Sequence, residues 1–251
     1  MPRALVLTLA VLAGSAVAAA EPAPPPAPRA FLELFTSQGC AACPKADAMI
    51  EELSSEPGVM AVSMPVTLWD FFGWADTLAL ESATKRQMDY SVARSDRDVF
   101  TPQMVVNGRQ SVLGSDGAAI KSAIPEDALP LPIGLSAAGD VLRINVPASA
   151  EPFGKVTLHL IVARPEMTVP IKGGENSGRT LTYHNVVRHI RSIGMYDGDA
   201  LSMAFPLSDI EKAPGTICYV VAQVSDFKGP GRIIGAAMVG GLFPARTVSS
   251  Q

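Results

Sequence analysis

The feature that most constrains this chain is Cys40-Ala41-Ala42-Cys43-Pro44, set between an apolar run and an amphipathic pattern. Before it, Phe31-Leu32-Glu33-Leu34-Phe35 reads as a buried strand, and Thr36-Ser37-Gln38-Gly39 breaks that strand. After it, Ala46, Met49, Ile50 and Leu53 recur at i, i+3, i+4 and i+7, the spacing of one helix face. Pro44 fits only the first turn of such a helix, where its missing N–H has no intrahelical partner to lose. Both cysteines therefore sit at a helix N-terminus, straight after a strand.

That position has chemical consequences. A thiol reacts as its thiolate, and a free thiol has a pKa of about 8.5. Unpaired helical N–H groups and the positive end of the helix dipole stabilise an anion there. The dipole contributes about 0.3–1 kcal/mol, against about 1.36 kcal/mol for one pKa unit, so a larger shift needs direct N–H bonds to sulfur. Cys40, at the start, is expected to be the exposed nucleophile. Cys43, half a turn deeper, is expected to resolve the mixed disulfide. Two other readings stay open at this point: an inert structural disulfide, and half of a metal site. The metal reading lacks a second ligand pair. The remaining candidates are Cys218, His159, His184 and His189. His184 and His189 are five apart in a strand-like run, so they face opposite sides. Cys218 lies in the apolar run Ile217-Cys218-Tyr219-Val220-Val221 and is expected to be buried and inert.

Downstream, Val59 to Val66 reads as a middle strand and about Ala75 to Arg94 as a helical stretch. Thr101-Pro102 then precedes a short strand ending at Asn107-Gly108, the dipeptide of a two-residue hairpin with positive φ at both positions. Gln110 to Leu113 forms the return strand. Gly114-Ser115-Asp116 caps a short helix containing Ala119, Ile120 and Ile124.

This order of elements, with CxxC opening a helix and Thr-Pro ahead of a hairpin, resembles the thioredoxin fold. The resemblance implies a cis Thr101–Pro102 bond facing the cysteines, and so assigns Cys40, Cys43, Thr101 and Pro102 to the site. Glu33 to Cys40, Cys43-Pro44, Ala46-Asp47, Trp69-Asp70, Gly73-Trp74, Thr101-Pro102-Gln103, Val105-Val106 and Gly174-Glu175-Asn176 are similar to a narrower group. That group is an exported bacterial thioredoxin-like family of unknown function, the domain of unknown function 1223. Departures from ordinary thioredoxins are also visible. Gly39 replaces a Trp, and Ala41-Ala42 replaces the usual dipeptide between the cysteines. The buried acid six residues before the first Cys, which serves proton transfer in thioredoxins, is Leu34 here. Glu33 is one residue away and on a regular strand faces the other side, so it inherits that role only through a bulge; otherwise it pairs with a base.

Residues 1–20 have the layout of an export signal: Arg3, an apolar run from Ala4 to Ala13, then small residues. The apolar run is too short to span a bilayer, which takes about 20 residues. A periplasmic or secreted protein, with no membrane association after cleavage, is expected, in a compartment where disulfides persist. Residues 21–28 are a Pro-rich spacer, 29–124 the thioredoxin-like domain, and 133–245 a β-rich, antiparallel sandwich-like domain beyond a Pro-rich link. Its expected strands are Val141–Val146, Lys155–Ala163, Arg179–Ile193, Thr216–Ser225 and Ile233–Met238. Lys172 to Gly178 is read as a structural or interface loop.

With 20 Lys+Arg against 24 Asp+Glu the net charge is −4, which argues against a nucleic-acid partner. Trp69, Phe71, Phe72 and Trp74 are read as core or lid packing ahead of a partner groove. Met49, Met60, Met64, Met88 and Met104 are read as core fillers ahead of copper ligands. The expected activity is thiol–disulfide exchange with protein thiols or disulfides and an electron-transfer partner, with no cofactor and no resident metal. The alternatives are a binding module with a structural disulfide, and a copper carrier using the CxxC thiolates.

Overall fold

The computed structural model describes residues 27–226 and 228–244. The expected export signal and most of the spacer lie outside the described residues.

The first half follows the expected order. Strand β1 (Ala30–Thr36) leads to helix α1 (Cys43–Ser55), strand β2 (Val59–Pro65) and helix α2 (Glu81–Arg94). The β3 (Gln103–Val106) and β4 (Gln110–Leu113) hairpin and helix α3 (Gly117–Ala123) follow. Asn107 and Gly108 take φ of 48° and 67°, as the hairpin turn requires. Asp116 caps α3 by accepting from the Ala119 N–H at 3.0 Å. Helix α2 starts at Glu81 and not near residue 75. The preceding turn is tied down by Asp76, whose carboxylate accepts from the N–H groups of Gln38 and Leu78, both at 2.7 Å.

Strand β1 is buried along its whole length. Its alternation sends Phe31 and Phe35 to one face, against Tyr90 of α2, and Leu32 and Leu34 to the other, against Ala46 and Ile50 of α1. Burying each large side chain stabilises the fold by about 1.5–3 kcal/mol, so a strand apolar on both faces must be central. It is flanked by β2 in parallel and β3 antiparallel.

The second half adds strands β5 (Gly134–Ala138), β6 (Val141–Val146), β7 (Val156–Pro170), β8 (Thr180–Tyr196), β9 (Leu201–Pro206), β10 (Thr216–Asp226) and β11 (Gly229–Leu242). Here the architecture departs from two separate domains. The long strands join the first half in one eight-stranded mixed sheet, ordered β11-β10-β7-β8-β2-β1-β3-β4. The junction is narrow: β2 and β8 pair at Ser63 and Val186 alone. Side chains reinforce it. Asn185, at φ 49°, donates to the Ala61 carbonyl at 2.9 Å, and Ser63 donates to the His184 carbonyl at 2.8 Å. The sandwich-like part is the small antiparallel sheet β5-β6-β9, whose Leu142, Ile144 and Val146 pack on Leu158, Leu160, Cys218 and Val220 of the large sheet. The opposite face of β7 and β10, with Ile161, Tyr219 and Val221, shares a core with Phe31, Phe35 and Tyr90 of the first half. The link between the halves is pinned on both sides, Leu129 N–H to Pro28 and Leu131 N–H to Ile234.

Candidate functional site

Cys43 is the first residue of α1, and Pro44 follows it in the first turn, as the helix-start reading requires. No side chain caps this helix end. Cys40 and Cys43 form a disulfide with their Cα atoms 5.4 Å apart. The Thr101–Pro102 bond is cis, and Cys40 Sγ lies 3.6 Å from the Thr101 carbonyl oxygen. All four expected site residues therefore come together.

One expectation fails. Cys40 is not exposed: it is 2% accessible and Cys43 0%. A loop from the second half packs against the backbone here. Between β7 and β8, Asn176 is buried and its amide donates to the carbonyls of Gln38 and Cys40, at 3.0 and 2.9 Å. Glu175 accepts from the Ala41 N–H at 3.1 Å, taking the backbone donor between the cysteines. Gly174, at φ +67°, sits so close to the first half that a Cβ would lie 3.1 Å from Trp74 Cβ. The loop read as structural or interface thus lies over the backbone on either side of Cys40, from more than 130 residues away in sequence.

The aromatic segment closes the other side. Trp69 donates from Nε1 to Thr101 Oγ1 at 2.7 Å, and Trp74 donates to Gln38 Oε1 at 2.8 Å. A Cβ on Gly39 would stand 2.9 Å from Trp69 Cβ, so Trp69 fills the space that a larger residue ahead of Cys40 would need. Phe71 and Phe72 stay exposed, at 95% and 65%. Trp69, Phe72, Met88, Phe100 and Thr101 line an open, largely apolar groove of about 360 Å³, and Thr101 is the residue whose carbonyl approaches Cys40 Sγ. The methionines considered for copper are scattered: Met49 and Met104 on the α1 face, Met60 and Met64 on the α2 face, Met88 exposed. Among the described residues no group of three His, Cys, Asp or Glu could hold a metal ion.

Glu33 is settled by register. It shares the α2 face of β1 with Phe31 and Phe35, and it pairs with Arg86 Nε at 2.5 Å. Tyr90 donates its hydroxyl to Glu33 at 2.5 Å. Arg86 also donates to Gln223 of β10 at 2.9 Å. Glu33 is thus a carboxylate paired with a base and turned away from the cysteines.

The acid on the disulfide's side is Asp47, which the sequence reading passed over. It is 2% accessible and lies one turn after Cys43 on the buried face of α1. Thr36, at the end of β1, donates to its Oδ1 at 2.6 Å. Its Oδ2 is buried with no hydrogen-bond partner among the described residues, as is the hydroxyl of Tyr183 on β8. Burial pushes the Asp47 carboxyl up to about 8, with Asp76 adding to the rise and the Thr36 hydrogen bond opposing it. Asp76 itself is pushed up to about 6 by burial. Cys218 is buried, and its thiol is pushed up to about 11 by that burial, in keeping with an inert core cysteine.

A crystal structure of an Agrobacterium tumefaciens protein is similar at 32% identity, with a TM-score of 0.73 over 86% of this chain and 95% of that one. HBP35 of Porphyromonas gingivalis shares the fold at 14% identity and a TM-score of 0.64, over 90% of this chain and 79% of that one. No curated protein sequence matches the chain. Residues 31–223 match the family described as protein of unknown function DUF1223, and the chain belongs to that family.

Proposed function

We propose that this protein is an exported thiol–disulfide oxidoreductase whose redox pair is Cys40 and Cys43, held in a thioredoxin-like setting. The observation that carries the reading is the disulfide at the start of α1, with Cys40 Sγ 3.6 Å from the carbonyl of Thr101 and an apolar groove alongside. In the reductive direction, a substrate thiolate attacks Cys40 Sγ and the Cys40–Cys43 bond breaks; in the oxidative direction, Cys43 attacks the mixed disulfide and releases the substrate thiol. The groove suits an apolar stretch of a protein substrate next to its cysteine. The first twenty residues support export.

Exchange requires the Gly174–Asn176 cover to lift. Lifting it removes Glu175 from the Ala41 N–H, which then becomes free to stabilise an anionic sulfur at the helix end. Access and activation of Cys40 are thereby coupled. The burial of both sulfurs also favours a second reading, a binding module with a structural disulfide. The two diverge in one assay: reduction of insulin, or oxidative refolding of a reduced protein, with Cys40→Ser as control and Asn176→Ala as an opened variant. The redox reading expects no activity in Cys40→Ser and faster reduction of the Cys40–Cys43 bond in Asn176→Ala. Equal activity in Cys40→Ser and wild type, or sluggish exchange with glutathione in both wild type and Asn176→Ala, overturns it in favour of the structural disulfide.

A further inference from the structure

We propose that Asp47 is the proton donor to the Cys43 sulfur when the disulfide opens, and its proton acceptor when the disulfide closes. The inference rests on the oxidoreductase reading and names the group that completes its chemistry.

Three observations carry it. Asp47 follows Cys43 by four residues on α1, and both are on the buried face of that helix, where residues at i and i+4 are neighbours. Thr36 fixes one carboxyl oxygen at 2.6 Å and leaves the other, Oδ2, buried and unpartnered among the described residues. A buried polar atom left in this way costs about 1–3 kcal/mol, so its retention calls for a purpose. Asp76, from the turn before α2, adds to the rise of Asp47, and Tyr183 of β8 is raised by burial and by the Asp47 and Asp76 charges against the opposing charge of Arg179. Glu33 and Arg86 lie on the other face of the sheet.

The step balances. A substrate thiolate attacks Cys40 Sγ; the new S–S bond forms to the substrate and the Cys40–Cys43 bond breaks. The electron pair goes to Cys43 Sγ, and the proton of the neutral Asp47 carboxyl goes to that sulfur, directly or across one water. In reverse, Cys43 returns the proton to the carboxylate as it attacks the mixed disulfide. Burial raises the Asp47 carboxyl to about 8, so it holds a proton at neutral pH that it can give up and take back. Leu34 occupies the strand position where thioredoxins keep their acid; here the acid comes from the helix instead.

The test is the rate at which dithiothreitol reduces the oxidised full chain, measured from pH 6 to 10 where rate is proportional to reductant. Wild type is expected to speed up with the reductant's thiolate fraction and to break downward near pH 8, as Asp47 loses its proton. Asp47→Asn is expected to be slower at pH 7 by about tenfold, less than the ~10²–10⁴-fold usual for proton transfer because a thiolate already leaves well, and to show no break. Thr36→Val keeps the carboxyl but removes the hydrogen bond that lowers its pKa, so the break is expected to move to higher pH. That shift decides the matter should Asp47→Asn fail to fold. An unchanged rate and profile in Asp47→Asn, a uniform slowing that keeps the break, or an unmoved break in Thr36→Val overturns the proposal. Failure of the oxidoreductase reading looks different: the break is present, but Cys40→Ser and wild type act alike on protein substrates.

Discussion

Strand β1 separates two buried polar sites that share a backbone and little else. On one face, Glu33 is met by Arg86, Tyr90 and Gln223, and Gln223 also donates to the Tyr90 hydroxyl and to the Gly231 carbonyl at 2.8 Å. On the other, Thr36 meets Asp47, which keeps one oxygen without a partner among the described residues, as does Tyr183 nearby. The first site is saturated and ties α2 and β1 to β10, across the two halves of the sheet. The second is under-satisfied and lies beneath a disulfide. Complete hydrogen bonding makes a buried charge a fastener; an incomplete set leaves a carboxyl whose protonation changes within the physiological range.

The largest expected effect tests the fastener. Arg86→Ala strands the Glu33 charge in the interior, and unpairing a buried ion pair costs about 3–5 kcal/mol. Thermal unfolding should fall by roughly 6–20 °C at about 2–4 °C per kcal/mol, while the pH profile of disulfide reduction keeps its shape in the folded fraction. A loss below about 1 kcal/mol would remove the distinction between the two faces.

A smaller effect of opposite sign is expected on the other face. The Asp47 carboxyl rises from 3.8 to about 8 on folding. Between those values the folded chain holds a proton that the unfolded chain has lost, so the site lowers stability as pH climbs from about 4 to 8. Asp47→Asn carries no such loss. Denaturant titration of the oxidised protein should find it more stable than wild type by at least about 1 kcal/mol at pH 8, with the advantage shrinking toward pH 4. A variant that is less stable at both pH values would place Asp47 with Glu33 as a structural group.

The smallest effect sharpens the contrast. Tyr183→Phe deletes a buried hydroxyl with no partner among the described residues, so calorimetry should register no loss of stability and a gain of about 1 kcal/mol. A cost above about 1 kcal/mol would reveal a bridging water between Tyr183 and Asp47.

Much of the fold was legible in local pattern. The apolar run at Phe31–Phe35, the period of Ala46 to Leu53 and the Asn107-Gly108 turn each specify their element through backbone rules alone. Strands β5 and β9 were not legible. Gly134-Leu135-Ser136-Ala137-Ala138 has weak strand propensity and is extended because β6 pairs with it. The single large sheet was equally hidden, since the Ser63–Val186 junction depends on residues far apart in sequence. At the site, Cys40, Cys43, Thr101 and Pro102 could be placed from their motifs. The cover could not, because Glu175 and Asn176 reach the cysteines only through tertiary folding. Asp47 did leave a trace. It falls four residues after Cys43 on the stripe that continues through Ile50 and Leu53, and an acid on an apolar stripe is a buried-carboxyl signal.

The distance along the chain between the cysteines and their cover sets an order of events. Asn176 lies 136 residues after Cys40. A polypeptide that emerges N-terminus first, at about 5–20 residues per second, presents both thiols for roughly 7–30 s before that loop exists. Oxidation of the pair can therefore precede the arrival of the β7–β8 loop beside it.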